Sequence, residues 1–254
     1  MIICKSSVEI EKMRKAAEIV AEVLLKIKSM LKPGLATKYL NEVAEEIIYG
    51  RKAEPVFKGY LGRISKIPFP SSICVSINEE VVHGIPGDRV IEEGDLVSVD
   101  VGVKYGGYCG DAARSFLVGK VDGRVRQLWQ ATREALKLSI EKCRIGGRLS
   151  DISNTIEERA KKDGFSVVRD FVGHGIGKDM HEDPQILNYG PPGQGPVLKK
   201  GMVLAIEPML NIGKSGVKVL DDKWTVVTKD RSISCHFEDM VAITEDGPAV
   251  LTGF

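Results

Sequence analysis

From Ile10 onward the apolar residues Met13, Ala17, Val20, Leu24, Ile27 and Leu31 recur every three to four positions, the spacing that turns one stripe of a helix toward a core. Ser6-x-x-Glu9 at its start is a capping-box pattern, and Pro33-Gly34 stops the run. A second helix is predicted from Thr37 to Ile48, with Thr37 as N-cap, Leu40, Val43, Ala44, Ile47 and Ile48 on its buried face, and Gly50 beyond its end. The period then falls to two. Ser72 to Ile77 reads as a strand, and in the next one Val97, Val99, Val101 and Val103 alternate with Ser98, Asp100 and Gly102. One face of that strand is therefore aliphatic, and the other carries an acid in mid-strand. Lys104 to Gly107 predicts a turn, and Tyr108 to Val118 the returning strand of a hairpin. Folding about Tyr105-Gly106 would set Asp111 directly opposite Asp100; a bulge at Gly106-Gly107 would shift that register.

The second half repeats the order of elements. Val125, Leu128, Trp129, Thr132, Ala135, Leu136 and Ile140 mark a third helix, which ends before Gly146-Gly147. Ser150 is the expected cap of a fourth, with Ile152, Ile156 and Ala160 inward and Asp163-Gly164 at its end. Strands are predicted at Phe165 to Val168, at Gly201 to Pro208, and at Trp224 to Val227. Another is predicted at Ile233 to Ile243, where Ile233, Cys235 and Phe237 alternate with Ser234, His236 and Glu238. The resemblance between halves is coarse, with no residue-level repeat. Two stretches are irregular: Arg51 to Pro70, a surface segment of the kind that lines sites, and Gly173-His174-Gly175-Ile176-Gly177, which by itself reads as a mobile surface loop.

Composition narrows the partners. A chain of 254 residues, 43% hydrophobic and 28% charged, suits one large domain or two small ones, and a net charge of +1 supplies no general attraction to nucleic acid or to an anionic membrane. Five scattered cysteines without a C-x-x-C suggest neither a disulfide framework nor a zinc knuckle. With no apolar leader and no stretch long enough to span a bilayer, the expected location is the cytoplasm.

The chemistry lies in acids placed where acids are costly. Glu207 closes an apolar strand and Glu238 intrudes on another, and such a carboxylate is unfavourable unless it is paired or metal-bound. Asp100, Asp111, His174, Glu207 and Glu238 share one economical explanation, a dinuclear metal site. Four carboxylates and an imidazole suit divalent Mn, Fe, Co or Zn, and the absence of cysteine ligands argues against a structural zinc. Two such ions polarise a carbonyl and activate water, which is hydrolytic chemistry. Other motifs fail: the glycine run is not G-x-G-x-x-G, and His181-Glu182 lacks the second histidine of H-E-x-x-H. His83, in a bend flanked by Gly84 and Pro86, reads by itself as a packed or surface residue.

Five stretches in order, Ser72 to Pro86 (SICVSINEEVVHGIP), Asp95 to Asp111, Phe171 to Leu187 (FVGHGIGKDMHEDPQIL), Met202 to Met209 (MVLAIEPM) and Asp221 to Glu238 (DDKWTVVTKDRSISCHFE), resemble the type I methionine aminopeptidases. The short path from Glu207 to Glu238 excludes the helical insertion of type II. The resemblance implies an α+β pita-bread fold, a curved antiparallel sheet covered by two pairs of helices, with residues 1–254 forming a single catalytic domain. It also implies two divalent metal ions per chain: Asp100 on one, His174 and Glu207 on the other, Asp111 and Glu238 bridging both. Glu207 would accept a proton, His181 would hydrogen-bond the substrate carbonyl or peptide nitrogen, and His83 would lie near the substrate amide and amine. Phe69, Cys74, His83, Met180, His181, Met209, Trp224 and His236 would contact substrate. The implied activity removes methionine from nascent polypeptide N-termini when the second residue is small. It is expected of a monomer near the ribosome, without membrane or direct nucleic-acid recognition.

The chain departs from this family at Met180, where phenylalanine is common, at His236, where glutamine is frequent, at Asp239-Met240, where His-Thr is frequent, and over Arg63 to Pro68. These changes touch the pocket and the ligands' surroundings rather than the ligands. Two other readings share the fold. A proline-directed exopeptidase would be expected to carry a further N-terminal domain, and a non-enzymatic interaction or RNA-binding protein would be expected to lack the metal ligands and carry basic tails.

Overall fold

Ser6 caps the first helix as its spacing predicts. In the computed structural model, which describes residues 1–62 and 66–253, helix α1 (Ser7–Met30) opens with Ser6 Oγ accepting from Glu9 N at 3.3 Å and a Glu9 carboxylate oxygen accepting from Ser6 N at 2.8 Å. Helix α2 (Lys38–Gly50) starts differently from expectation: Thr37 makes no side-chain cap, because its hydroxyl donates to Gly87 O at 3.1 Å and accepts from Gly87 N at 2.9 Å. Thr37 thereby ties the helix start to the loop that follows His83. Gly50 is the last helical residue rather than the one beyond, and Val43 and Ile47 are only half-buried. Helix α3 (Gly123–Ile140) is capped by Asp122, whose side chain accepts from Arg124 N. Helix α4 (Leu149–Lys162) begins ahead of Ser150, since Asp151 closes the cap by accepting from Arg148 N at 3.0 Å. Ser150 Oγ serves the neighbouring loop instead, accepting from Gln194 N at 2.7 Å.

Every ladder among the described residues is antiparallel, and the strands fall into four hydrogen-bonded sheets rather than one continuous ladder. In the first, Leu96–Tyr105 is central and pairs with Glu54–Pro55, Ile73–Ile77 and Tyr108–Leu117. The second runs in the order Gly247–Val250, Asp239–Thr244, Val203–Ile206, Gly173–Gly175, Glu182–Ile186. Two three-stranded sheets join Ser234–His236, Met209–Asn211 and Ser166–Val167, and Val217–Val219, Val226–Thr228 and Glu80–Val82.

Three expectations need correction. The hairpin folds about Gly106-Gly107, both at positive φ (57° and 84°), which is the backbone of a two-residue turn matched to strand twist. Tyr105 therefore faces Tyr108, Asp100 faces Ala113, and Asp111 faces Gly102. The aspartates lie diagonally, two residues apart along one face, rather than opposite each other. Second, Gly173 to Gly175 form a buried strand, not a mobile loop; bare residues let it lie between two neighbours in the five-stranded sheet. Third, the predicted strand from Ile233 to Ile243 is broken at Phe237-Glu238, and its two parts belong to different sheets.

The core follows the helix pairs. Val97, Val99, Val101 and Val103, all fully buried, pack with the apolar faces of α1 and α2. The inward residues of α3 and α4 pack with Leu204, Ile206, Leu210, Cys235 and Val241 of the second-half strands. The polar faces of both halves are thus turned toward each other, and that is where the acids lie. No described helix is long and apolar enough to cross a membrane. Arg63, where the departure from the type I pattern begins, lies with residues 64 and 65 outside the described residues.

Candidate metal centre

Each ligand-type side chain owes its place to strand register. Asp100 and Asp111 share the hairpin's non-aliphatic face, and Cys74, directly across from Asp100 on the other neighbour, joins them. His174 faces Ala205 across its ladder, so Glu207, two residues on, projects from the same face. Pro208 then ends that strand. Glu238 comes from the break between strands, where its N–H donates to Ala113 O at 2.9 Å and so pins it beside the hairpin. Arg114 donates to the Glu238 carbonyl and, at 2.6 Å, to Asp239 Oδ1, which also accepts from Thr252 Oγ1. Asp239, one of the departures from the type I pattern, therefore has a local duty: it holds the arginine that holds the Glu238 backbone.

The five side chains converge on one cavity of about 500 Å³. His174 Nε2 lies 3.6 Å from both Asp111 Oδ2 and Glu207 Oε1. Asp111, His174 and Glu238 each offer a ligand atom within 4.8 Å of the others. Among the described residues Asp100 Oδ1, Asp111 Oδ1 and Glu238 Oε1 are buried without a hydrogen-bond partner.

Burial, reinforced by mutual repulsion, governs their protonation. It pushes Asp100 up to about 7. Asp111, Glu207 and Glu238 are driven well above the carboxylate range, first by burial and then by the charges of the neighbouring acids. His174 goes the other way, to about 3, because burial disfavours the imidazolium and His181 lies beside it. Its contacts with the acids are thus not ion pairs. His174 Nδ1 is 2.9 Å from the Gly175 carbonyl, which can only accept, so the proton sits on Nδ1 and the Nε2 lone pair points at the acids. Four acids that repel one another once ionised, one imidazole lone pair and three unpartnered buried oxygens together fit a divalent cation, which would neutralise the ionised acids and take up those oxygens.

Aromatic and sulfur-bearing walls complete the cavity. Phe69 meets Trp224 edge-on at 5.2 Å, and Trp224 Nε1 donates to Ile67 O. His83, held at positive φ and lowered by burial to about 4, lies edge-on to Phe171 and Trp224 at 5.5 and 6.2 Å. Cys74, Met180 and His181 are further lining residues. Two expected contacts are elsewhere. Met209 is fully buried among Val81, Val168 and Val226, behind the wall. His236 is also buried, with Nε2 3.8 Å from Glu207 Oε2, and it backs Glu207 instead of facing the cavity.

Sequence reading missed Tyr60, whose hydroxyl is 3.0 Å from His181 Nδ1, and Phe57 and Phe171, which also line the cavity. The signal was faint: aromatics scattered through the irregular 51–70 stretch and before the glycine run.

The profile described as metallopeptidase family M24 matches residues 11–245. The chain belongs to metallopeptidase family M24. It is 51% identical to the methionine aminopeptidase of Clostridium acetobutylicum, over 99% of each chain. The solved methionine aminopeptidase of Thermotoga maritima superimposes over 100% of both chains, with a TM-score of 0.95 and 47% identity. The prolidase of Pyrococcus furiosus is also similar, with a TM-score of 0.78 and 26% identity over 99% of this chain but 66% of that one. The fold is therefore the pita-bread fold these peptidases share, and the chain is a metallopeptidase with a candidate site for divalent metal.

Proposed function

We propose that this chain removes N-terminal methionine from polypeptides whose second residue is small. The observation that carries the reading is one cavity with an acid and imidazole nest at one part and the Phe69, Cys74, Trp224 and Met180 walls at another. Asp100, Asp111, His174, Glu207 and Glu238 would together hold two divalent ions. When bound, divalent metal supplies Lewis-acid polarisation of the scissile carbonyl and activates the attacking water.

The chain's own groups do the rest. The Tyr60 hydroxyl lies 3.0 Å from His181 Nδ1, and by donating there it would keep the proton of a neutral His181 on Nε2, from which a hydrogen bond would reach the substrate carbonyl as charge builds on it. His83, neutral because burial disfavours its cation, offers the substrate amide a hydrogen bond without repelling the terminal ammonium. Glu207 would accept the proton released by water. The methionine thioether packs on the edges of Phe69 and Trp224, contacts that favour sulfur near aromatic rings. We place the activity in one catalytic domain, residues 1–254, acting as a cytoplasmic monomer on nascent chains at the ribosome.

The test is a cleavage panel of Met-Ala, Met-Leu, Leu-Ala and Ala-Pro peptides after loading with Fe(II), Mn(II), Co(II) or Zn(II). Met-Ala should be cleaved far faster than the others. Preferential cleavage of Ala-Pro would favour a proline-directed exopeptidase, and cleavage of none would favour a binding protein.

A further inference from the structure

Just ahead of α1 the chain buries a charge that the helix itself does not need. Lys5 Nζ meets Glu182 Oε2 at 2.6 Å, with the two side chains only 4% and 8% exposed. Removing either member of such a pair strands the other as a desolvated ion, so the geometry is held firmly. The second carboxylate oxygen, Glu182 Oε1, turns back into its own loop and accepts from Lys178 N at 3.0 Å and Asp179 N at 3.4 Å. Glu182 is thus the hub of the turn between the strands Gly173–Gly175 and Glu182–Ile186. A Cβ at Gly177 would lie 2.3 Å from Glu182 Oε1 and 2.6 Å from Lys5 Cε, so the pair closes only over a bare residue.

Lys5 is itself anchored. Its N–H donates to Gly201 O at 2.7 Å, and the next residue, Ser6, is the cap of α1. Glu9, the partner in that capping box, also accepts from Tyr108 Oη at 2.9 Å, which ties the helix start to the hairpin. A rigid path therefore leads from the first core, through the cap and the Lys5 ammonium, into the turn. This turn carries Met180 and His181, which line the cavity together with Glu182 itself.

We propose that Lys5 is a positioning residue: through its buried pair with Glu182 it fixes the turn that aims Met180 and His181 at the substrate. The proposal rests on the reading of those two residues as substrate contacts. It assigns a role in specificity to a lysine outside the cavity, on a segment that precedes the first helix.

Two variants test it. Lys5→Met removes the charge at similar length, and Lys5→Met/Glu182→Gln removes both charges, so that the second leaves no stranded buried ion if the first fails to fold. Two readouts are taken on metal-loaded protein: kcat and KM for Met-Ala-Ser and Leu-Ala-Ser peptides, and hydrogen exchange of the Lys178 and Asp179 amides. Displacing positioning groups by about 1 Å costs on the order of 100-fold, so kcat/KM for the methionine peptide should fall about 10- to 100-fold. Preference for methionine over leucine should narrow, and the two amides should exchange about tenfold faster or more, with metal stoichiometry unchanged. A folded variant that keeps its kinetics, its preference and its amide protection would overturn the proposal, even with a lower melting temperature, because the pair would then be structural only. If wild-type protein does not release methionine from Met-Ala-Ser, the reading of function fails separately. Amide exchange then decides alone whether Lys5 holds the turn.

Discussion

Tyr60 illustrates how one side chain can set the chemistry of another. Its hydroxyl contacts His181 Nδ1 at 3.0 Å, while His181 lies against His174 with ring centroids 4.5 Å apart. Which nitrogen of His181 carries the proton decides whether it can donate to a substrate carbonyl, and a phenol that donated to Nδ1 would select the tautomer protonated on Nε2. Tyr60→Phe removes one neutral hydrogen bond, worth about 1 kcal/mol, so kcat/KM should fall roughly fivefold to tenfold with the fold and the metal content intact. Unaltered steady-state kinetics would mean that His181 is oriented by its other surroundings. At this scale the clustering of four acids and an imidazole in one cavity was legible in the sequence, and its aromatic walls were less so. An acid in an apolar strand violates a strong rule and is conspicuous, whereas Tyr60 and Phe57 sit in a stretch where aromatics break no rule. Met209 and His236 misled for a related reason: proximity along the chain to Glu207 and Glu238 does not decide which side of a strand faces the cavity.

At the scale of elements, the hairpin Leu96–Tyr105 and Tyr108–Leu117 determines the geometry of the centre. Alternation correctly put Asp100 and Asp111 on one face, because the aliphatic face can only be buried against α1 and α2. Their exact opposition was not readable, since register depends on which two residues make the turn. Gly106 at φ 57° and Gly107 at φ 84° decide it. Asn tolerates that region and Val does not, at a cost of about 1–2 kcal/mol. Gly106→Asn should therefore melt close to wild type, and Gly106→Val about 2–8 °C lower. Equal melting of the two by calorimetry would show that the turn does not fix the register. Caps follow the same logic. Ser6 was readable because its box is local, but Thr37 and Ser150 spend their hydroxyls on Gly87 and Gln194, partners distant in sequence.

On the scale of the whole molecule, two helix-backed halves press their polar faces together, and the fold carries the cost of a buried acid cluster. Asp100 at about 7, with Asp111, Glu207 and Glu238 also raised by burial and by one another's charge, binds protons in the native state that the unfolded chain, with values near 4, has already lost. These groups stabilise the metal-free protein at low pH, and that stability is lost as pH rises through their native values. His83, His174 and His236, lowered to between about 3 and 4 from 6.5, act oppositely, and their effect is complete once unfolded imidazoles are neutral. Above about pH 7.5, where unfolded imidazoles are neutral, the carboxylate trend remains, so metal-free protein should melt at lower temperature as pH increases from there. Divalent metal should reverse this, because it binds the ionised acids. At about 100 times Kd it adds about 2.7 kcal/mol, or roughly 5–10 °C. Scanning calorimetry with and without metal from pH 6.5 to 8 should show that gap widening; a gap that stays constant or narrows would mean that the acids are not the metal's ligands.

The most direct test of the two-ion centre is calorimetric titration of metal-free protein with Mn(II). Wild type should take up two ions per chain. His174→Ala should keep one of them, while Asp111→Asn, which removes an oxygen assigned to both, should weaken both. A single ion in wild type, or the same loss in the two variants, would contradict the account.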